Sequence, residues 1–77
     1  MPDTVEINSQ EAKMRQVKIV YTNYRGETGI RAILPIKIWF GATDWHPESQ
    51  WLLDAIDVEK EASRSFALKD IKAWLTE

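Results

Sequence analysis

The stretch Trp51–Asp57, with the sequence WLLDAID, decides the fold of this 77-residue chain. Trp51, Leu53 and Ala55 recur at every second position, which is the repeat of a β-strand with one buried face. Asp54 lies between them and indicates that the other face is not fully buried. The sequence therefore predicts a half-buried strand whose core face includes Trp51 and Leu53.

The segments before this strand show the same repeat. Residues 17–22 alternate apolar and polar side chains, and residues 28–34 follow after a turn at Gly26, so the two segments predict a β-hairpin. Pro35 cannot donate a ladder hydrogen bond and predicts a corner or an edge position. A further strand, 36–40, is expected directly after it, with Phe40 on one face.

Loop composition separates the remaining elements. Residues 41–50 predict a loop before the WLLDAID strand, and the charged residues 59–61 predict a turn after it. Residues 63–68 then form a short fifth strand, and Phe66 is expected in the core. Five short strands joined by tight turns favour a small, strongly bent antiparallel sheet or barrel.

Short helices are expected at both ends of the chain. Asn8 as N-cap with Glu11 three residues later predicts a helix at 8–15. The apolar residues of 69–75 stand at helical spacing and predict a second one.

We therefore expect residues 1–16 to form an N-terminal extension or short helix. Residues 17–77 are expected to form one domain that ends in a helical segment. The predicted fold class is mainly β: a small five-stranded antiparallel barrel of the SH3-like or Sm-like kind.

Composition limits the possible functions. The hydrophobic fraction of 44% and the charged fraction of 29% are those of a folded globular domain. The net charge of −2 argues against broad binding to a nucleic-acid backbone, although a local basic patch stays open. The chain has no cysteine, which excludes disulfides and thiolate sites. With no signal peptide and no apolar run of membrane-spanning length, the expected location is the cytoplasm.

The residues needed for catalysis are not grouped in this sequence. His46 is the single histidine, and no serine stands in a G-x-S-x-G elbow. We therefore expect no enzyme and no catalytic residue. Asp44, His46 and Glu48 alternate in the predicted loop but lack an established ligand spacing, so neither a metal nor a cofactor is expected.

Two arginines in predicted strands are the candidate ligand-binding residues. Arg31 and Arg64 each share a strand with apolar neighbours, and a guanidinium in that setting needs an anionic partner. The partner is either an internal carboxylate or a bound ligand, because the guanidinium fork grips phosphate or carboxylate with two hydrogen bonds. Both alternatives stay open. The available internal carboxylates are Glu27, Asp54, Asp57 and Asp70.

Five segments in order carry a resemblance to a known family: 19–21 (IVY), 26–27 (GE), 31–35 (RAILP), 51–53 (WLL) and 64–71 (RSFALKDI). In this order and spacing, the chain resembles the WYL domains of bacterial transcriptional regulators. The resemblance implies an SH3-like or Sm-like barrel and a regulatory role. It also implies that basic and aromatic residues of the barrel bind a negatively charged effector.

Within this resemblance, Arg31 matches the arginine of the R-x-I-x-P strand, and Arg64 matches the first arginine of the closing motif. Leu52 stands where the family has its central tyrosine, and Ala67 and Asp70 stand where it has arginines. The loss of two arginines weakens any site for a polyanion. The resemblance thus implies a free-standing module that binds a small anionic or nucleotide-like effector.

The tryptophans suggest a second function. We expect Trp51 in the core, and Trp39, with Trp45 nearby, on an exposed aromatic patch that docks a second copy or another protein. A homo-oligomer, most simply a dimer, is the predicted assembly. The alternative function is thus a protein-interaction domain in which both arginines are only structural.

Overall fold

The structure, a computed structural model, describes residues 16–75. These residues form five β-strands and a single turn of 3-10 helix. In chain order they are β1 (Val17–Thr22), β2 (Thr28–Gly41), β3 (Gln50–Asp57), β4 (Ala62–Ala67), the 3-10 turn Leu68–Asp70, and β5 (Ile71–Leu75).

All five strands belong to one antiparallel sheet in the order β4-β3-β2-β1-β5. β2 is the longest strand and serves two partners, since Ile33 is opposite Val17 of β1 and also opposite Asp57 of β3. The sheet curls so strongly that Tyr21 of β1 contacts β4. The Tyr21 ring meets the Phe66 ring edge-on with centroids 4.9 Å apart. The sheet nevertheless stays open between β4 and β5.

Pro35 bends β2 without ending it. The β2–β3 register shifts between Pro35 and Lys37, which leaves Ile36 as the extra residue of a β-bulge. Pro35 also lies beyond the last pair of the β1–β2 ladder, Val17 with Ile33, so β2 is paired on one side only at this point. The missing proline N–H is therefore tolerated, and the two strands expected at 28–34 and 36–40 are one bent strand.

The core lies on the inner face of the curled sheet. Its buried cluster consists of Ile19, Tyr21, Ile33, Leu53, Ala55 and Phe66. Leu53 and Phe66 are 2% and 4% exposed, and they face one another across the β3–β4 ladder. Both residues therefore lie in the core, where the sequence places them.

Trp51 does not lie in the core, so that expectation is wrong. It shares the inner face with Leu53 but is 55% exposed. The β3–β4 ladder begins one residue later, at Leu52 opposite Ala67, so Trp51 has a neighbouring strand on one side only. That neighbour is Phe40, whose ring centroid lies 5.4 Å from the Trp51 ring. The alternation in β3 placed Trp51 on the correct face of the sheet, but at this end of the strand nothing in the described residues covers that face.

The predicted C-terminal helix is also wrong. Residues Ile71–Leu75 are strand β5, because they pair with β1 at Lys18 opposite Leu75 and at Ile19 opposite Trp74. Helical structure in the described residues is limited to Leu68–Asp70. The fold class is mainly β, as predicted. The helix expected at 8–15 lies outside the described residues.

We predict that Leu53→Ala lowers the free energy of unfolding by about 2–5 kcal/mol, because it empties a fully enclosed core position. Trp51→Ala should cost less, about 1–2 kcal/mol, because Trp51 loses its edge-on aromatic contact and only a partial burial. Urea unfolding followed by circular dichroism measures both. Equal losses for the two variants would contradict the placement of Trp51 outside the core.

Candidate functional site

A cleft of about 900 Å³ lies where the β1–β2 turn, the β2–β3 loop and strand β4 meet. This is within the usual size range of small-molecule sites. Five cationic side chains line it: Arg25, Arg31, Lys37, Lys60 and Arg64. We refer to it as the basic cleft.

The basic cleft is positive although the whole chain carries a net charge of −2. Its carboxylates are Glu27 and Asp54. The Asp54 carboxylate is already engaged, since its Oδ1 accepts hydrogen bonds from Trp39 Nε1 at 2.8 Å and from Ser65 Oγ at 2.6 Å. The cations therefore outnumber the acidic groups that face them, and the local potential favours an anion.

The structure brings both predicted arginines to this one cleft. Arg31 is opposite Ile19 in the β1–β2 ladder, and Arg64 is opposite Ala55 in the β3–β4 ladder. Since Ile19 and Ala55 are core residues, both arginines project from the inner face of the sheet. The curl of the sheet turns these two inner positions toward the same space.

Arg64 has a structural partner. Its Nε lies 3.5 Å from Oδ2 of Asp57, whose side chain is only 4% exposed. That Oδ2 atom makes no hydrogen bond within the described part of the chain, so the guanidinium supplies its nearest positive charge. The Arg64 side chain itself is 45% exposed and also lines the cleft.

Arg31 differs from Arg64 in this respect. Between residues 16 and 75, the pair of Arg64 with Asp57 is the one salt bridge present, and Arg31 has no carboxylate within 4 Å. The positive charge of Arg31 instead acts on the nearby hydroxyl of Tyr21. Of the two arginines, Arg31 is thus the one whose charge the described residues leave uncompensated.

Tyr21 forms part of the floor of the basic cleft. It is 7% exposed, and this burial raises the pKa of its hydroxyl above the ordinary value. The hydroxyl accepts a hydrogen bond from the Ala67 N–H at 3.4 Å, which lowers its pKa. The negative charge of Asp70 raises the pKa, and the positive charge of Arg31 lowers it. Burial is the largest effect, so the hydroxyl is held neutral beneath the cations.

The β1–β2 turn presents an aromatic and a cationic side chain. The Asn23 Oδ1 atom accepts hydrogen bonds from the Arg25 N–H at 2.9 Å and the Glu27 N–H at 3.0 Å. Gly26 has a φ of +80°, a backbone conformation that a residue with a Cβ adopts only with strain. The turn is therefore locally specified, and it holds Tyr24 with the Arg25 guanidinium 5.6 Å from the Tyr24 ring centroid.

The β2–β3 loop reaches this turn from the other side of the cleft. Trp45 lies 6.1 Å from Tyr24 between ring centroids, at an interplanar angle of 36°. The loop is fixed by reciprocal backbone hydrogen bonds between Thr43 and His46 at 2.9 and 3.1 Å. His46 Nε2 also lies 3.1 Å from the Ser65 carbonyl oxygen and, since a carbonyl only accepts, donates to it. The loop is thus attached to β4.

Trp39 does not form the exposed patch expected of it, because it is partly buried on the outer face. It is opposite Leu52, which is fully buried, and its indole N–H is bound to Asp54. A Cβ at Gly41 would collide with the Trp39 ring, so glycine is required there for this ring position. Trp45, the other residue expected at an interface, is 76% exposed and belongs to the basic cleft.

The described residues contain no group of three or more His, Asp or Glu side chains that would hold a metal. Asp44, His46 and Glu48 therefore do not converge. Across residues 16–75, no helix is long and apolar enough to cross a membrane.

Comparisons with models of known families, with curated proteins and with solved structures find no match to this chain.

Four residues that give the basic cleft its charge and its exposed aromatic surface were not singled out from the sequence: Tyr24, Arg25, Lys37 and Lys60. Lys37 follows the bulge in β2, and Lys60 lies in the turn before β4. Taken singly, each of these two lysines is an ordinary exposed charged residue. The useful signal would have been the strand order, which brings the β1–β2 turn and β4 to the same side of the molecule.

We predict that Arg64→Ala lowers the free energy of unfolding by about 1–3 kcal/mol, because it leaves the buried Asp57 carboxylate without its cation. Arg31→Ala should change it by less than about 1 kcal/mol. Urea unfolding measures both, and the double variant Arg64→Ala with Asp57→Asn should regain part of the loss. Equal costs for the two arginines would contradict this division of roles.

We also predict a pH dependence that comes from Tyr21. The pKa of the Tyr21 hydroxyl is higher in the folded chain than in the unfolded chain. Its contribution to the free energy of unfolding is therefore fully present below about pH 10, the pKa of an unfolded tyrosine. That contribution is lost as the pH rises through the folded pKa. The advantage of the natural chain over Tyr21→Phe in urea unfolding should therefore stay constant from pH 8 to about pH 10 and shrink as the pH rises further. Parallel pH profiles would show that the shift is absent.

Proposed function

We propose that this chain is a non-catalytic, ligand-binding regulatory or accessory module that takes a small anionic ligand in the basic cleft. The observation that carries the proposal is the convergence of five cationic side chains on one cleft of about 900 Å³ in a chain that is acidic as a whole. Clustered cations repel one another, and an anion bound among them removes that cost.

Arg31 and Arg64 are the proposed anchors of the anion. Both project from strands and not from loops, so their positions are fixed by the sheet. A guanidinium offers paired donors that match two oxygens of a phosphate or a carboxylate. Lys37 and Lys60 line the same cleft and supply further charge.

The aromatic pair favours a ligand that also has a flat ring. Inserting a ring between Tyr24 and Trp45 would need about 7 Å, two contact distances of about 3.5 Å, and their centroids are 6.1 Å apart. A base would therefore stack on the free face of Trp45, which is 76% exposed. A phosphate attached to that base would share the cleft with Arg31 and Arg64. The proposed ligand class is nucleotide-like.

Duplex nucleic acid is a less suitable ligand than a small anion. Binding to a phosphate backbone requires cations spread along an extended surface, and here they surround a single concave site. Asp70 and Ala67 also stand where the resembled family has arginines. The proposed ligand therefore carries one or a few phosphates.

The proposal includes a fold and a family. The strand order β4-β3-β2-β1-β5, with a 3-10 turn between β4 and β5, supports an SH3-like barrel left open at one seam. Such a barrel is what the resemblance to WYL domains implies. On this reading the chain is a WYL-like regulatory module of a bacterial cytoplasm.

The alternative function is a protein-interaction domain in which the arginines are structural. The pair of Arg64 with Asp57 favours it, since that arginine already has an internal partner. Arg31 separates the two functions, because its charge has no carboxylate partner in the described residues.

A titration of AMP, ADP, ATP and inorganic pyrophosphate, by calorimetry and thermal shift, tests the proposal. We expect at least one phosphate compound to raise the melting temperature, since binding to the native state stabilises it. Arg31→Ala should weaken that binding about 10-fold or more, the loss expected for a charge-assisted hydrogen bond.

The matched control is Lys72→Ala, which removes one exposed cation from β5, outside the cleft. It should leave the affinity unchanged. Adenosine, which lacks phosphate, should bind much more weakly than ATP. Binding that survives Arg31→Ala, or that Lys72→Ala weakens equally, would contradict the proposed site.

A further inference from the structure

A second surface, separate from the basic cleft, stands out on the inner face of the sheet. Ile38, Phe40 and Trp51 are 56%, 58% and 55% exposed, and none of them lines the cleft. Ile38 and Phe40 belong to the last part of β2, and Trp51 begins β3, so the three lie at the loop end of the β2–β3 hairpin. We call them the hairpin patch.

The hairpin patch is an extension of the hydrophobic core. Ile38 is opposite Leu53, and Phe40 is opposite Trp51, so all three patch residues share the face of a core residue. The curled sheet covers Leu53 but does not extend to the next pair. The inner face of the β2–β3 hairpin thus extends beyond the region that the rest of the sheet encloses.

The patch is also preorganised. Its residues stand on paired strands, and the rings of Phe40 and Trp51 meet at an interplanar angle of 70°. A partner therefore finds two aromatic side chains already fixed, with little conformational entropy left to lose. Aromatic anchors of this kind provide most of the binding energy in protein interfaces.

The size of the patch favours a second copy as the occupant. With each aromatic side chain offering about 150–250 Å² when fully exposed, the half-exposed patch amounts to roughly 350 Å². A twofold interface uses the same patch on both subunits and so buries about 700 Å² of it. With a polar rim, the total reaches the roughly 1,000 Å² at which interfaces become specific.

Its chemistry points to the same occupant. No charged side chain is among its members, and interfaces between identical subunits are more apolar than those formed with transient partners. A domain this small also gains stability from association, since a single small core supplies only about 3–5 kcal/mol. We infer that two copies of this chain pair through Ile38, Phe40 and Trp51 about a twofold axis, with both basic clefts left open.

Sedimentation velocity of the full chain, from about 1 µM to several hundred µM, tests this inference. We expect a concentration-dependent dimer. Phe40→Asp should raise the dimer dissociation constant at least about 30-fold, as for an interface anchor, while circular dichroism stays unchanged. Trp45→Ser is the control: it removes a still more exposed aromatic side chain, at the cleft and outside the patch, and should leave the dimer intact.

Cysteine cross-linking gives a second measurement that does not depend on weakening the interface. The natural chain has no cysteine, so a single Phe40→Cys variant carries one thiol. Residues beside a twofold axis meet their own copies, and oxidation should therefore yield a covalent dimer, whereas Lys72→Cys on β5 should not.

Three results would overturn the inference. They are a monomer at every concentration, a dimer that Phe40→Asp leaves unchanged, and cross-linking that is equal at both cysteine positions. A monomer would show that a second copy is not the occupant of the hairpin patch. Anion binding is measured separately, so the failure of either proposal leaves the other standing.

Discussion

The structure depends on one long strand that belongs to two ladders. At Ile33, β2 is paired with β1 on one side and with β3 on the other. The bulge that follows at Ile36 bends the strand and brings β1 and β4 within side-chain contact. The core is enclosed by that bend. The same bend defines the basic cleft around Arg31 and leaves Phe40 at the uncovered end of the strand.

The charge distribution explains how an acidic chain contains a positive cleft. Two carboxylates in or near the cleft are engaged by other side chains of the sheet: Asp57 lies beside Arg64, and Asp54 accepts hydrogen bonds from Trp39 and Ser65. These contacts link β2, β3 and β4, and they occupy the two carboxylates with donors and a cation of the chain itself. Part of the polar network that stabilises the sheet therefore also makes the cleft attractive to anions.

The sequence predicted the features that depend on local patterns. Alternation at Leu53 and Phe66 gave the correct core face, and two arginines that line one cleft were found from their strand settings. The failures were non-local. Trp51 is exposed because the β3–β4 ladder starts after it, and residues 71–75 are a strand because β1 pairs with them. Five residues are also too few for one period to stand out from another.

The bond between His46 and the Ser65 carbonyl has a consequence for solubility. β4 is an end strand of the sheet, and the free backbone groups of such a strand can recruit other chains. The His46 side chain occupies one of these acceptors with a donor from its own chain. A side chain of the loop that carries Trp45 thus blocks one pairing position on the β4 edge of the sheet.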